Sequence, residues 1–114
     1  MSAPTAEATI RYLGPGDGAE LWGGTQADFV IDWPHRPAKE IAVLLQDAAA
    51  SALAQAAGRE DTADSHIAAA RAVGEAWLSA QVAGERHLDS LVVISAATLR
   101  ERPELVDAVR SVGS

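Results

Sequence analysis

The chain of 114 residues contains no cysteine. That excludes a disulfide scaffold, a thiolate zinc site, an iron–sulfur cluster and a cysteine nucleophile. Basic charge is also scarce. Nine Lys and Arg stand against sixteen Asp and Glu, for a net charge of −7, and Lys39 is the sole lysine. Phosphate backbones and anionic membranes are met by clustered Lys and Arg, so neither nucleic acid nor a membrane is an expected partner. No apolar run approaches the ~20 residues that cross a bilayer. Residues Met1 to Glu7 have neither the basic stretch nor the apolar stretch of a secretory signal, and a cytoplasmic location is expected. Aromatic residues make up only 4% of the chain. Alanine is abundant and arginine far outnumbers lysine, which points to a bacterial protein from a GC-rich genome.

One domain is expected at this length. Residues 1–7 read as a flexible N-terminus and 8–114 as a single domain, with a β arm over 8–33 and a helical body over 37–114. The composition changes near Pro37: most glycines and the only Phe and Tyr lie before it, and four of five prolines lie at or before it. Ala8 to Leu13 carries β-branched and aromatic residues, and Gly14 to Gly18 is a strong turn signal. That glycine loop lacks both phosphate-binding spacings. Ala19 to Trp22 reads as a short second strand. Gln26 to Trp33 is the clearest strand, because Ala27, Phe29 and Ile31 alternate with Asp28, Val30 and Asp32.

The first helix is predicted over Ala38 to Ala57, starting at Pro37 and stopped by Gly58. Its apolar stripe is Ile41, Leu44, Leu45, Ala48, Ala52 and Ala56. A second helix is predicted from Asp61 or Thr62, with a face of Ile67, Ala70, Gly74, Trp77, Leu78 and Gln81; Gly84 can end it. The ridge Ala48, Ala52, Ala56 and the pair Ala70, Gly74 suggest two helices in close contact. Leu91 to Ile94 suits either a helix or a buried strand, and the stripe that stays in phase through Gly84 favours the helix. Thr98 and Glu101 have capping-box spacing. A last helix starts at Pro103. The fold class is therefore α+β and helix-dominated: a short N-terminal β meander followed by three to four helices. Its Ala-diluted core is thin, and a twofold homodimer would cover what one chain leaves exposed.

The most site-like segment is Asp32 to Glu40, read as the junction of sheet and helix. His35 supplies a general base near neutral pH, with Asp32 and Glu40 as carboxylate partners. Arg36 can hold a ligand carboxylate. His87, close to Asp89, is a second candidate base. Trp22, Trp33 and Trp77 can line one ligand cleft between arm and body. No histidine–carboxylate spacing suits a metal, and no cofactor is expected. These residues suggest a small homodimeric protein with a cleft for a peptide or small ligand. A cofactor-free tailoring enzyme with a His/carboxylate base at a dimer cleft is the alternative. An acidic accessory subunit of a basic partner is a third.

Overall fold

The computed structural model describes residues 8–16, 24–34, 36–84 and 88–113; for Arg36 and 111–113 it describes the backbone alone. It is a small α+β domain, with four strands and four helices among the described residues. Strands β1 (Thr9–Pro15), β2 (Gly24–Trp33) and β3 (Arg36–Gln46) are followed by helices α1 (Asp47–Ala56) and α2 (Ala63–Ala83). Then come β4 (Leu91–Ile94), α3 (Ala96–Glu101) and α4 (Pro103–Gly113). The sheet order is β1-β2-β3-β4. The first three strands are antiparallel, and β4 runs parallel to β3. A parallel neighbour needs a long crossover, and α1 with α2 supplies it.

The alternation expected in β2 holds in part: Ala27, Phe29 and Ile31 are buried with Asp28 and Asp32 less so, but Val30 on the opposite face is buried as well. The face of Ala27, Phe29 and Ile31 continues through Ile41, Val43 and Leu45 on β3 and through Val92 and Ile94 on β4, and the helices cover it. The other face carries Thr9, Arg11, Asp28, Asp32 and Glu40 with Leu91 and Val93, around the buried Val30 and Leu44.

Two elements differ from the sequence reading. Residues 36–46, expected as the first half of a helix, form the central strand β3. The run Ile41 to Leu45 satisfies helical spacing through 41, 44 and 45, and strand spacing through 41, 43 and 45. Strand pairing prevails because β3 binds β2 on one side and β4 on the other, and Leu44 is buried as well as Val43. A strand buried on both faces reads as a continuous apolar run, which periodicity cannot separate from a helix. Pro37 falls where the β2–β3 register shifts between Ile31 and Trp33, a place where a missing ladder N–H costs little. Residues 91–94, favoured as helix, are strand β4.

Helix α1 is consequently half the expected length, and its buried side is Ala49, Ala50, Leu53 and Ala54. The ridge Ala48, Ala52 and Ala56 faces solvent instead. Gly58 adopts φ of 72° just past the helix end, as its position suggested. Helix α2 runs from a Thr62/Ser65 capping box to Gly84. The last capping box is Ser95 with Thr98, one turn earlier than the expected Thr98 with Glu101, because α3 begins directly after β4. Pro103 opens α4 as expected. The possible strand at 19–22 lies outside the described residues.

Candidate functional site

A cleft of about 140 Å³ lies between the C-terminal half of α2 and β4. From α2 it is lined by Trp77, Leu78 and Gln81, and from the far side by Leu88, Asp89 and Leu91 to Val93. The helical spacing of 77, 78 and 81 puts all three on one side of α2. Leu78 is fully buried and anchors that side, while Trp77 is half-buried and lends its ring to the cleft wall. The Arg102 guanidinium stacks over the Trp77 ring, 4.7 Å from its centroid. Arg102 is held in turn by Glu104, and that hydrogen bond keeps the Glu104 carboxyl below the ordinary range. Opposite, Lys39 Nζ donates to the Leu88 carbonyl and ties the segment before β4 to the sheet. The result is an aromatic platform with a cation on one side and the Asp89 carboxylate on the rim. At this volume it takes a single side chain or a small fragment, since sites for whole small molecules occupy roughly 300–1,000 Å³.

The residues expected to form the site do not all meet there. Asp32 lies on β2 on the sheet face away from the helices, where its carboxylate accepts from Arg11 Nε at 2.8 Å. Glu40 is exposed on β3, opposite Val30, which makes it a diagonal neighbour of Asp32 on that face. Trp33 ends β2 and packs against the core. The segment 32–40 is therefore a hairpin turn with its flanking strands, not a junction of sheet and helix. Trp77 stands on the opposite side of the sheet, so it shares no cleft with Asp32 or Glu40. His35, His87 and Trp22 lie outside the described residues, as does the side chain of Arg36. Arg102 was missed because its partner Trp77 is 25 positions away in the sequence. The edge at β4 was missed with the helix reading of 91–94; its uncharged, β-branched run was the available signal.

A second polar cluster ties α1 to the start of α2. Asp61 accepts from Ser51 Oγ at 2.9 Å and pairs with His66 Nε2. The carboxylate sits between the serine and the imidazole, so the histidine does not reach the hydroxyl, and this is no nucleophile–base pair. The His66 contact, with Ser51 second, holds the Asp61 carboxyl below its ordinary value. A lowered folded value means stability that is present above the unfolded value and lost as pH falls through the folded one. Wild type is expected to exceed Asp61→Asn in urea midpoint at pH 7, and the gap should close below about pH 4. A gap of equal size at pH 7 and pH 3 would refute this account.

Among the described residues no His, Asp or Glu group is arranged to hold a metal ion, and no helix is long and apolar enough to cross a membrane. No protein-family model, curated protein or solved structure matches the chain.

Proposed function

We propose that the chain is a homodimeric binding module that holds a peptide side chain or small ligand against Trp77. The observation that carries this reading is the cleft itself: a half-buried indole, stacked by Arg102 and facing Leu88 and Asp89. An indole offers a large apolar face at little entropic cost, which suits recognition. The pairing of a fixed cation with a rim carboxylate suits a ligand that is apolar in the middle and polar at its ends.

The catalytic reading of Asp32 and Glu40 is weaker. Both face solvent, and Arg11 neutralises Asp32. Among the described residues no Asp or Glu is buried, so none has the low-dielectric setting that tunes a general acid or base.

Binding is tested by screening a fragment set and random heptapeptides with 1H–15N correlation spectra. Hits should move the Trp77 indole N–H together with Gln81 and Leu88, and Trp77→Ala should weaken them at least tenfold, as loss of a central aromatic anchor does. If no compound moves these signals, or if Trp77→Ala binds as wild type does, the cleft is not a ligand site.

A further inference from the structure

We propose that the free edge of β4 pairs with the β4 of a second copy, antiparallel and centred on Val92, and that the Trp77 cleft is thereby shared between two chains. The second half of this inference rests on the cleft being the ligand site.

The backbone of β4 has a defined polarity. Ala42 N–H donates to the Ser90 carbonyl at 2.8 Å, so residues 90, 92 and 94 point their polar groups at β3. Leu91 and Val93, which lie opposite Ala42 and Leu44 in the register, point theirs outward. Since β4 ends the sheet, these four groups have no strand partner among the described residues. An antiparallel copy centred on Val92 sets Leu91 opposite Val93 of the second copy, and Val93 opposite its Leu91. Both are then hydrogen-bonded pairs, and all four groups are used. Shifting the centre to Val93 would set Leu91 opposite Ser95, whose N–H is already spent on Thr98 Oγ1.

The side chains and charges agree. Leu91 and Val93 are two of the three large apolar side chains exposed among the described residues, at 40% and 43%. The pairing places them side by side. Net charge of −7 opposes contact between copies, yet Leu91 to Ile94 carries no charge. Asp89 would lie opposite Ser95 of the second copy, six residues from the second Asp89. At ~3.4 Å per residue that is about 20 Å, beyond the ~10 Å screening length at 0.1 M salt. The opposite edge is poorly suited to pairing: β1 has an irregular register between Tyr12 and Gly14, ends in Pro15 and carries Arg11.

Pairing across a twofold normal to the sheet keeps the helices of both copies on one side. The gap beside each α2 then opens onto the same seam, floored by two Val92 side chains and walled by two Trp77 rings. This explains why one chain encloses only about 140 Å³.

The test is light scattering on the full chain together with the fluorescent apolar probe 1-anilinonaphthalene-8-sulfonate. Wild type is expected at twice 11.8 kDa. Val93→Pro removes an outward N–H and no bond to β3, so it should remain folded by circular dichroism and elute as a monomer. Leu91→Lys, which adds charge at the edge, should do the same. Probe affinity should fall about tenfold in both variants, as expected when a pocket loses one wall. A monomeric wild type at roughly 1 mM, or dimeric variants, would overturn the pairing. Monomeric variants that bind the probe through Trp77 as well as wild type does would overturn the sharing and leave the cleft intact. A dimer whose probe binding ignores Trp77→Ala would uphold the pairing and remove the cleft.

Discussion

Gly74→Ala is expected to destabilise the protein by about 1–3 kcal/mol through overpacking, although alanine is the better helix former by about 1 kcal/mol. Gly74 lies in the middle of α2 and is buried. A Cβ there would come within 2.6 and 2.8 Å of two carbons of the Phe29 ring, and 3.4 Å from a Val43 methyl. Phe29 is fully buried. Its ring is hemmed in by Tyr12, at a centroid distance of 5.4 Å, and Tyr12 is itself covered by the Arg71 guanidinium at 4.7 Å. With Tyr12 against the ring, a Cβ is accommodated only if α2 lifts off the sheet or the ring leaves its preferred rotamer. The close approach that requires glycine is thus between helix and sheet, where the sequence reading placed it between two helices. Gly74→Leu should cost more than Gly74→Ala. The check is a double-mutant cycle in urea with Phe29→Leu, whose shorter side chain vacates the contested space. A coupling of about 0.5–3 kcal/mol is expected, with the double variant more stable than the sum of its parts. A Gly74→Ala protein as stable as wild type would show that the ring yields freely.

The same glycine shows what local reading can and cannot reach. A glycine inside a strong helical pattern signals close packing, and that signal was legible. Its contact, Phe29, lies 45 positions away on strand β2, and no local pattern encodes that. The residues of β2 were legible because Ala27, Phe29 and Ile31 fill the helix-covered face while Asp28 and Asp32 mark the other, although Val30 on that face is buried too. Strand β3 was not, because Val43 and Leu44 are both buried on opposite faces. The misreading then propagated. Once 38–46 is taken as helix, the stripe extends in phase to Ala48, Ala52 and Ala56, while the observed helix buries Ala49, Leu53 and their neighbours.

The proposed site was not legible as an assembly. Trp77 was expected in a cleft between arm and body, and it lines a gap between α2 and β4 instead. Asp32, Glu40 and Trp33 were grouped by nearness in sequence; the β hairpin keeps Asp32 and Glu40 on one face and turns Trp33 toward the core. Alternate residues of a strand face opposite ways. Asp32 therefore points away from the helices, while Ile31 beside it points into the core. The β4 edge was hidden for a different reason: four residues are too few for periodicity, and only pairing with β3 reveals which side is free.

Leu53→Ala is expected to cost about 2–5 kcal/mol, whereas Ala52→Leu, one position away, should change stability by no more than about 0.5 kcal/mol. The contrast measures the phase of α1 directly. Leu53 is completely buried within the cluster that joins α1 to α2 and the sheet. Deleting its isobutyl group leaves a cavity that neighbours such as Ala49 and Ala50, with no side chain to extend, cannot fill. A core diluted by alanine collapses poorly, which places the loss in the upper part of the range, because cost rises with the residual cavity. At position 52 the added leucine projects into solvent. Were the helix phased as a continuous rod from 38, position 52 would be packed and position 53 would not, and the two effects would exchange. Thermal melts resolve the difference, since a domain of this size shifts by roughly 4 °C per kcal/mol. A large loss at Ala52→Leu with a small one at Leu53→Ala would rule out both the phase of α1 and the assignment of residues 36–46 to the central strand.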